Sequence, residues 1–506
     1  MIDDPRRMRL WLSLLVLVCG ASSLATEMTG ARLLAPYFGT SDLVWANVIG
    51  LILLSLSLGY WAGGRMADRH PTPRALATVV LVAACALAVI PFAARPLFST
   101  SAHAFADLSA GAFVASFFGA LAMFIVPVTS LGAVTPWAIR LAVADVDTAG
   151  AVAGRLYALS TIGSIAGTFL PVLVLIPAVG TRRTILGVAA VLALAAAPAL
   201  RRRTLAVPAV AVGLVLLPPG QIKAAPAGEK VVFEAESSYQ YVQVLQKPDG
   251  ARVLQLNEGW AVHSRTPAAG VLTDNYWDAF ATLPRLAGGP SGRLLILGNA
   301  GGTIARLYGA LWPAVTVDGV EIDPVVTDAA RRYLDMTNPR LRVYTADARF
   351  WLEGSRPSYD IVVIDAYAQP YIPFHLATKE FFRLVRDHLR PGGVVAVNVG
   401  TPPDQRQMVD RIAATMRSVF PTVAASRVVR FNSVVVAFQA PTDVAVAREG
   451  LRSLFGPLGP AAARLADDLR EVPPGGTVLT DDHAPVELLT DRALLEYLKE
   501  GAPGAP

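Results

Sequence analysis

Cysteine is scarce in this chain: only Cys19 and Cys85 occur among 506 residues, and both lie in apolar runs. Two such cysteines allow no disulfide framework and no cysteine-based metal site. Charged residues are also few, at 16% of the chain, whereas 53% of the residues are hydrophobic, which is outside the usual range of soluble domains. His375 and His483 have no second His or Cys at a ligand spacing, so we expect no metal.

Lysine is absent from the first 220 residues, which contain 15 arginines and 8 acidic residues. The charges of the remaining residues nearly balance. The basic isoelectric point of about 9.2 therefore comes from arginines that flank apolar segments. A nucleic-acid-binding chain would instead cluster Lys and Arg on its soluble part, so we expect no nucleic-acid partner.

Long apolar stretches fill the N-terminal part, near 9–26, 43–62, 76–94, 108–128, 156–179, 184–200 and 204–218. Several of them reach the roughly 20 residues that a helix needs to cross the hydrocarbon core. A cleavable signal peptide would explain only the first stretch. The pattern predicts a multi-span helical membrane domain over 1–220, with six to eight spans in a lipid bilayer.

The arginines between these stretches predict an orientation, because inner loops of membrane proteins are rich in Lys and Arg. With the N-terminus inside, eleven arginines fall in inner loops: Arg6, Arg7, Arg9, Arg65, Arg69, Arg74, Arg140, Arg155, Arg201, Arg202 and Arg203. Only Arg32, Arg95, Arg182 and Arg183 fall in outer loops. The count favours an inside N-terminus, so an odd number of spans would put the C-terminal half outside and an even number inside.

The C-terminal half has the composition of a soluble domain and follows a Pro/Ala/Gly linker at 221–230. Alternating apolar residues in "YQYVQVLQ" and "RVLQLNEGWAVHS" predict a small β region within 231–290. Over 291–440, the strand-like runs "RLLILG", "VTVDGVEI", "LRVYTAD", "YDIVVIDA" and "GGVVAVNV" alternate with helical patterns. This alternation predicts an α/β domain with a parallel sheet covered on both faces, and 441–506 reads as a helical tail.

The ends of the first four strand-like runs carry glycines and carboxylates, in the order Gly298, Gly301, Gly302, Glu321, Asp347 and Asp365. Ligands of open α/β sheets bind beyond the carboxyl ends of the strands. Glycines there let a ligand approach the backbone, and an acid after the second strand accepts ribose hydroxyls. The pattern therefore predicts a nucleoside site.

Each of these signals also has a structural explanation. A glycine turn alone often caps a strand–helix corner, and acids after strands, such as Asp323 before Pro324, are often helix N-caps. The joint spacing favours the nucleoside site. The loop reads Gly298-Asn-Ala-Gly301-Gly302 rather than G-x-G-x-x-G, which favours an S-adenosyl compound over a dinucleotide.

Motifs along most of the chain point to a family. They include "GRLYALSTIGSIAGTFL" in the apolar half, and "ESSYQYVQV", "LLILGNAGGT", "GVEIDP", "ADARFWL", "YDIVVIDAYAQPYIPFHLATKEFF" and "LRPGGVVAVNV" in the soluble half. With these motifs the chain resembles the spermidine synthase family, and more closely its membrane-fused members, often labelled fused MFS/spermidine synthase. The resemblance implies a small N-terminal β region followed by a Rossmann methyltransferase-like domain. It also implies aminopropyl transfer from decarboxylated S-adenosylmethionine to a small-molecule amine.

The resemblance implies roles for individual residues. It assigns nucleoside binding to Gln240, Gly298, Gly301, Gly302, Glu321, Asp347 and Ala348. It makes Asp365 the base that deprotonates the attacking amine, and it places Tyr276, Tyr367 and Gln369 at the substrate. It requires no metal, and it leaves a homodimer open.

Four positions depart from the family pattern. Ala300 and Ala368 stand where soluble synthases have substrate-binding aspartates, and Tyr276-Trp277-Asp278 replaces Tyr-His-Glu. A cationic amine in a partly desolvated site needs paired carboxylates, so polyamine substrates are in doubt. Two alternatives stay open: a methyltransferase that uses S-adenosylmethionine, and a non-catalytic transporter or sensor with a nucleoside- or polyamine-binding domain.

The location of the nucleoside pool gives a further expectation. S-adenosyl compounds are made in the cytoplasm, so we expect a multi-pass inner-membrane protein whose soluble domain faces the cytoplasm. An inside N-terminus then requires an even number of spans. The simplest solution is that 204–218, which Pro208 interrupts, lies at the interface without crossing. An extra crossing within 108–143 would serve equally.

Overall fold

The structure is a computed structural model that describes residues 4–38, 42–104, 111–217, 221–259, 261–289, 291–368 and 370–499. The chain divides into two compact units. The first consists of Met1–Ala224 and Ala235–Tyr241, and the second of Ala225–Glu234 and Val242–Pro506.

The described part of the first unit is helical. Its α-helices are α1 (Pro5–Phe38), α2 (Asp42–Arg69), α3 (Pro73–Ala104), α4 (Gly111–Gly132), α5 (Val134–Ala142), α6 (Ala149–Leu170), α7 (Ile176–Ala196) and α8 (Ala206–Val215). Among the described residues, five helical ranges are long and apolar enough to cross a membrane. The fourth, Phe117–Ala142, combines parts of α4 and α5, and the fifth, Val146–Ala199, includes α6 and α7. Helices of this composition confirm the predicted membrane-type half.

The fifth range contains a reversal of the chain. Its 54 residues would extend about 81 Å as one helix, more than twice the hydrocarbon thickness. Gly180 interrupts it with φ 81° and ψ 163°, a conformation open essentially to glycine. Before this break, Gly163 and Gly167 lie against the backbone of Leu17 and Ala21, so α6 runs parallel to α1.

After Gly180 the chain runs back along α1. At one end of the bundle, the Trp11 indole donates to the carbonyl of Ala195 (2.9 Å). At the other end, the Tyr37 hydroxyl (2.8 Å) and the Arg182 guanidinium (3.4 Å) both donate to the carbonyl of Ile222. Trp11 and Tyr37 are about 39 Å apart along α1. Thus α7 is antiparallel to α1, and α6 and α7 run in opposite directions.

The same contacts show where the chain leaves the first unit. The end of α7 lies near Trp11, whereas Ile222, which follows α8, lies near Tyr37 at the opposite end of the bundle. The helix α8 has 10 residues, about 15 Å, which is below the length of a full span. Between Ala195 and Ile222 the chain nevertheless passes from one end of the bundle to the other.

The segment Ala235–Tyr241 belongs to the first unit and lies at the Tyr37 end of the bundle. The Arg32 side chain donates to the carbonyls of Ser237 (3.0 Å) and Ser238. The Thr181 backbone N–H donates to the Glu236 carboxylate (2.7 Å). Gln240, which the resemblance assigns to nucleoside binding, is part of this segment.

The strands form two sheets. The smaller sheet has the order β1 (Lys230–Glu236), β2 (Tyr241–Gln246), β3 (Arg252–Leu256) and β4 (Val262–Thr266). The larger sheet contains β5 (Gly292–Leu297), β6 (Val315–Glu321), β7 (Leu341–Thr345), β8 (Tyr359–Ile364), β9 (Leu389–Gly400), β10 (Thr422–Val429), β11 (Asn432–Phe438) and β12 (Arg470–Glu471). The accompanying α-helices are α9 (Trp277–Phe280), α10 (Thr303–Leu311), α11 (Pro324–Tyr333), α12 (Ala348–Gly354), α13 (Lys379–Asp387), α14 (Gln407–Arg417), α15 (Val444–Arg452), α16 (Gly459–Asp467) and α17 (Val486–Lys499).

The larger sheet has the order β12-β10-β11-β9-β8-β5-β6-β7. Neighbours from β9 to β7 pair in parallel, and β11, β10 and β12 pair antiparallel. In β5, Leu294 and Ile296 join the core on one face, while Leu295 and Leu297 join the core on the other. A strand buried on both faces reads as a continuous apolar run, which explains the sequence signal. The predicted Rossmann methyltransferase-like domain with a small N-terminal β region is confirmed.

Candidate functional site

The glycine loop follows β5, and its conformation requires glycine at two positions. Gly298 has φ 92°, and a Cβ there would collide with the backbone of Asp365 and Ala366. Gly302 has φ 76° and precedes the first residue of α10, and a Cβ there would meet the Met336 side chain. The loop therefore lies directly against the residue that ends β8, as the strand-end pattern predicts.

Two side chains hold the amides of this loop. The Ala300 N–H donates to the Glu321 carboxylate (2.8 Å), and the Gly301 N–H donates to the Ser264 hydroxyl (2.7 Å). Ala300 has φ 44°, a left-handed conformation that costs energy for a residue with a Cβ. Ser264 lies on β4, far from the loop in sequence, and no sequence motif indicates it. The predicted residues Gly298, Gly301 and Gly302 thus form one turn that Glu321 and Ser264 fix.

Glu321 lies at the end of β6 and is 7% exposed. Its second carboxylate oxygen accepts the N–H of Asp323 (3.0 Å). Burial raises the pKa of Glu321 to about 7, while the backbone hydrogen bonds from Asp323 and Ala300 oppose the rise. Asp323 caps α11 by accepting the Val325 N–H, so its structural explanation is correct.

Asp347 follows β7 and caps α12. One of its oxygens accepts the N–H groups of Arg349 and Phe350 (3.0 Å each), and the other lies 3.0 Å from the His375 ring. Ala348 begins α12 and is buried. Asp347, the predicted adenine contact, is therefore also a helix cap. One of its carboxylate oxygens faces His375, which lies between β8 and α13.

An ionic contact lies close to Asp347. The Arg349 guanidinium makes two hydrogen bonds to Asp481 (2.7 and 2.6 Å), and the Thr378 hydroxyl donates to the same carboxylate (2.7 Å). The Arg349 contact is the main reason that the pKa of Asp481 falls to about 2. This cluster joins α12 to the chain before α13 and the turn before α17.

Asp365 follows β8, and two neutral groups bind its carboxylate. The Tyr276 hydroxyl donates to Oδ2 (3.1 Å), and the Asn398 amide donates to Oδ1 (2.8 Å). Burial raises the pKa of Asp365 to about 7, and hydrogen bonds from Asn398, Tyr276 and Trp277 lower it in part. A carboxylate with this pKa can accept a proton near neutral pH, as a general base must.

Tyr276 and Tyr367, which the resemblance assigns to the substrate, make different contacts. Tyr276 is 8% exposed, and its ring packs against Trp277 in a tilted arrangement with the centroids 4.4 Å apart. The Tyr367 hydroxyl donates to the Asn398 carbonyl (3.0 Å) and accepts the Gly400 N–H (2.7 Å), so it is bonded to the backbone of β9. Gln369 lies outside the described residues.

Asp278, which stands where the family pattern has Glu, has a structural role. It is fully buried, and its carboxylate accepts the N–H and hydroxyl of Thr273 and the N–H of Asp274. These bonds close the turn before α9. Among the described residues, no group of three His, Cys, Asp or Glu side chains is placed to hold a metal ion.

The two raised carboxyl pKa values predict a pH dependence of stability. The ordinary values of 3.8 for Asp365 and 4.5 for Glu321 rise to about 7, so the folded protein keeps protons that the unfolded chain releases. Their contribution to stability is fully present below about pH 4 and is lost as the pH rises through 7. Between pH 5 and 8, the unfolding midpoint should fall more for the wild type than for the double variant Asp365→Asn, Glu321→Gln. Equal slopes in thermal unfolding would contradict this assignment.

The fold and the strand-end residues define a Rossmann methyltransferase-like domain with a candidate nucleoside site. Residues 278–436 match the model of the spermine/spermidine synthase domain. A probable polyamine aminopropyl transferase of Bifidobacterium longum (strain NCC 2705) is 33% identical over 293 residues, which cover 54% of this chain and 65% of that protein. A polyamine aminopropyltransferase of Vibrio vulnificus (strain CMCP6) is 36% identical over 132 residues, covering 25% and 43%. The C-terminal half of this chain therefore contains a domain of the spermine/spermidine synthase family.

These matches span less than two thirds of the length of the two relatives. The crystal structure of a probable spermidine synthase from Corynebacterium glutamicum ATCC 13032 aligns with a TM-score of 0.39 and 22% identity, covering 44% of this chain and 88% of that one. A structural likeness with a TM-score this low gives no evidence about the activity of this chain.

Proposed function

We propose that the second unit is an aminopropyltransferase that uses Asp365 as its general base. The observation that supports this most directly is the position of Asp365, whose backbone lies against Gly298 of the glycine loop. A nucleoside on this loop would bring its sulfonium group close to the Asp365 carboxylate. Proximity of two bound substrates supplies much of the rate in such transfers.

The reaction requires only protein groups and two substrates. The amine nitrogen forms a bond to the propyl carbon next to the sulfonium of decarboxylated S-adenosylmethionine, and that carbon–sulfur bond breaks. Sulfur keeps the electron pair, so methylthioadenosine leaves as a neutral thioether. The proton of the amine passes to Asp365, whose carboxylate Tyr276 and Asn398 hold in place.

Glu321 and Asp347, two of the residues assigned to nucleoside binding, have lone pairs that can accept hydrogen bonds from the ribose and the adenine. Each carboxylate oxygen has two lone pairs, so Glu321 can accept ribose hydroxyls while it keeps its bonds to Ala300 and Asp323. Asp347 keeps a second lone pair on the oxygen that faces His375. We propose that Glu321 binds the ribose and that Asp347 and Ala348 flank the adenine.

A methyltransferase is the second candidate, because Ala300 and Ala368 offer no carboxylate for the amine of an aminopropyl group. Product analysis separates the two candidates. Purified protein would be incubated with S-adenosylmethionine or its decarboxylated form, together with a panel of amines, and analysed by mass spectrometry. An aminopropylated amine is expected, formed only from the decarboxylated donor. A methylated product would overturn the proposal, and nucleoside binding without either product would indicate a sensor.

We also propose that the first unit spans the bilayer and that the chain leaves it on the face opposite its N-terminus. The contacts of Trp11 and Ile222 at opposite ends of the bundle support this. The eleven arginines lie in the N-terminal region, near the ends of α2, α3, α5 and α6, and in the connection from α7 to α8. With the N-terminal, Trp11 end of the bundle inside, the positive-inside rule directs these arginines to the cytoplasm. Residue 225 then emerges on the opposite face of the bilayer.

Reporter fusions test this topology. A reporter active only in the cytoplasm should work at the N-terminus and fail after residue 225, and a reporter active only outside should show the reverse. Both positions active on the same side would contradict the opposite-face arrangement.

A further inference from the structure

One polar side chain interrupts the apolar core of β9. Asn398 lies in the run "VVAVNV" and is 3% exposed. Val394 and Ala396, on the same face of the strand, belong to the hydrophobic core. Asparagine is depleted in strands, and a buried amide is unfavourable unless it is hydrogen-bonded. Its presence here therefore calls for a specific partner.

Two side chains satisfy the Asn398 amide. Its nitrogen donates to Asp365 Oδ1 (2.8 Å), and its oxygen accepts from the side-chain nitrogen of Asn432 (3.0 Å). Asn432 begins β11 and pairs with Gly400 of β9. Three side chains thus form a line, Asn432 to Asn398 to Asp365, that crosses from β11 through β9 to the end of β8.

The direction of these bonds follows from what each group can donate. An ionised carboxylate only accepts, so Asn398 must present its nitrogen to Asp365. Its oxygen then faces away and needs a donor, which the Asn432 amide provides. With Asn432 in place, the opposite rotamer of Asn398 would bring its nitrogen onto a donor and its oxygen onto a carboxylate. As oriented in the structure, the Asn432 donor matches the orientation of Asn398 that suits an ionised Asp365.

We propose that Asn432 and Asn398 form an amide relay that orients the Asp365 carboxylate and favours its ionised, proton-accepting form. Asn398 and Asn432 are positioning residues in this account, because they act on the reaction only through Asp365. The link to catalysis rests on the proposed function, whereas the relay itself does not.

The other titratable groups that face Asp365 are tyrosines. Tyr276 donates to Asp365, and Tyr367 lies close enough to interact with its charge. Burial raises the pKa of both hydroxyls above the usual value, so both are neutral near pH 7. The hydrogen bond from Asn398 is the largest of those that oppose the effect of burial on the pKa of Asp365, ahead of the hydrogen bonds from Tyr276 and Trp277.

The substitution Asn432→Asp would reverse the relay. A carboxylate at 432 cannot donate, so Asn398 is expected to turn its nitrogen toward it and its oxygen toward Asp365. Asp365 then needs a proton to pair with that oxygen, and its pKa should rise by at least one unit above 7. Asn432→Ala removes the donor without adding charge and should move the pKa in the same direction by less.

A double-mutant cycle separates the relay from a through-space effect of the new charge. Asn398→Leu removes the amide that connects Asn432 to Asp365, so this substitution alone should raise the pKa of Asp365. Adding Asn432→Asp to Asn398→Leu should then cause no further rise. A further rise as large as in the wild-type background would show a direct charge effect and overturn the relay.

Infrared titration of the full-length protein measures this pKa without any substrate. The C=O band of protonated Asp365 is identified by its loss in Asp365→Asn, and its midpoint is followed with pH. The relay predicts a midpoint near 7 in the wild type and at least one unit higher in Asn432→Asp. An unchanged midpoint in Asn432→Asp and Asn432→Ala would overturn it. Because no turnover is needed, a protein without transferase activity would refute the proposed function and leave this test intact.

Discussion

Replacing Asp365 with Asn should lower the rate of aminopropyl transfer about 10²–10⁴-fold, the usual contribution of a general base. Asparagine keeps the shape of the side chain and its bonds to Tyr276 and Asn398 can rearrange, but it cannot take the proton of the amine. Nucleoside affinity should stay within a few-fold, because the base acts on the reaction step. The measurement is turnover at saturating donor, with calorimetry of donor binding beside it.

A matched control for this substitution is Asp410→Asn, which removes a carboxylate from the exposed side of α14. It should leave turnover and donor affinity unchanged. Full turnover in Asp365→Asn, with any acceptor that the wild type uses, would show that Asp365 is not the base. Because burial raises the Asp365 pKa to about 7, wild-type turnover should also fall as the pH drops below 7 and the carboxylate becomes protonated.

Replacing Glu321 with Ala should weaken nucleoside binding by about 1–3 kcal/mol, the range for losing hydrogen bonds to a charged group. Glu321 has two functions that this substitution removes together. It accepts the ribose hydroxyls in the proposed complex, and it holds the Ala300 and Asp323 amides. Calorimetry with the wild type and the variant measures the loss, and unchanged affinity would show that Glu321 is structural only.

Two companion variants divide these functions. Ser264→Ala releases the Gly301 amide from its hydroxyl and so loosens the loop without touching the carboxylate. Glu321→Gln keeps one oxygen that can accept but loses the charge. If ribose binding dominates, Glu321→Gln should weaken binding more than Ser264→Ala. The reverse order would show that holding the loop matters more than the contact to ribose.

The sequence predicts the parallel part of the larger sheet well. Each of β5 to β9 lies within or overlaps a run predicted from the sequence. The runs of β5 and β8 are nearly all apolar, because these strands are buried on both faces. The clustering of the strand-end residues can also be predicted, because the carboxyl ends of parallel strands meet at one edge of the sheet. That is why Gly298, Glu321, Asp347 and Asp365 could be singled out before the fold was known.

Other parts of the site have no local signal. Ser264 reaches Gly301 from β4, and Asn432 reaches Asn398 from β11. These pairs depend on how the strands align, and no spacing in the sequence encodes that register. Asp278 stands where the family motif has Glu, and only the structure shows that its carboxylate closes a turn.

In the membrane half, too, the local sequence predicts some features, whereas others depend on contacts between distant residues. The apolar runs 156–179 and 184–200 predict two spans, and the structure reverses the chain between them at Gly180. The passage of α8 along the bundle was harder to predict, because 10 apolar residues with an internal Pro208 resemble an interfacial segment. Its direction follows only from the contacts that Ile222 makes with Tyr37 and Arg182.

The most direct test of the central claim is the release of methylthioadenosine by the purified full-length protein. Decarboxylated S-adenosylmethionine would be supplied with an amine panel, and methylthioadenosine would be quantified against each aminopropylated amine. We predict one methylthioadenosine for each aminopropyl group transferred by the wild type, and nearly none with Asp365→Asn. Release of methylthioadenosine without an aminopropylated amine, or equal amounts from the wild type and Asp365→Asn, would contradict an aminopropyl transfer that uses Asp365 as its base.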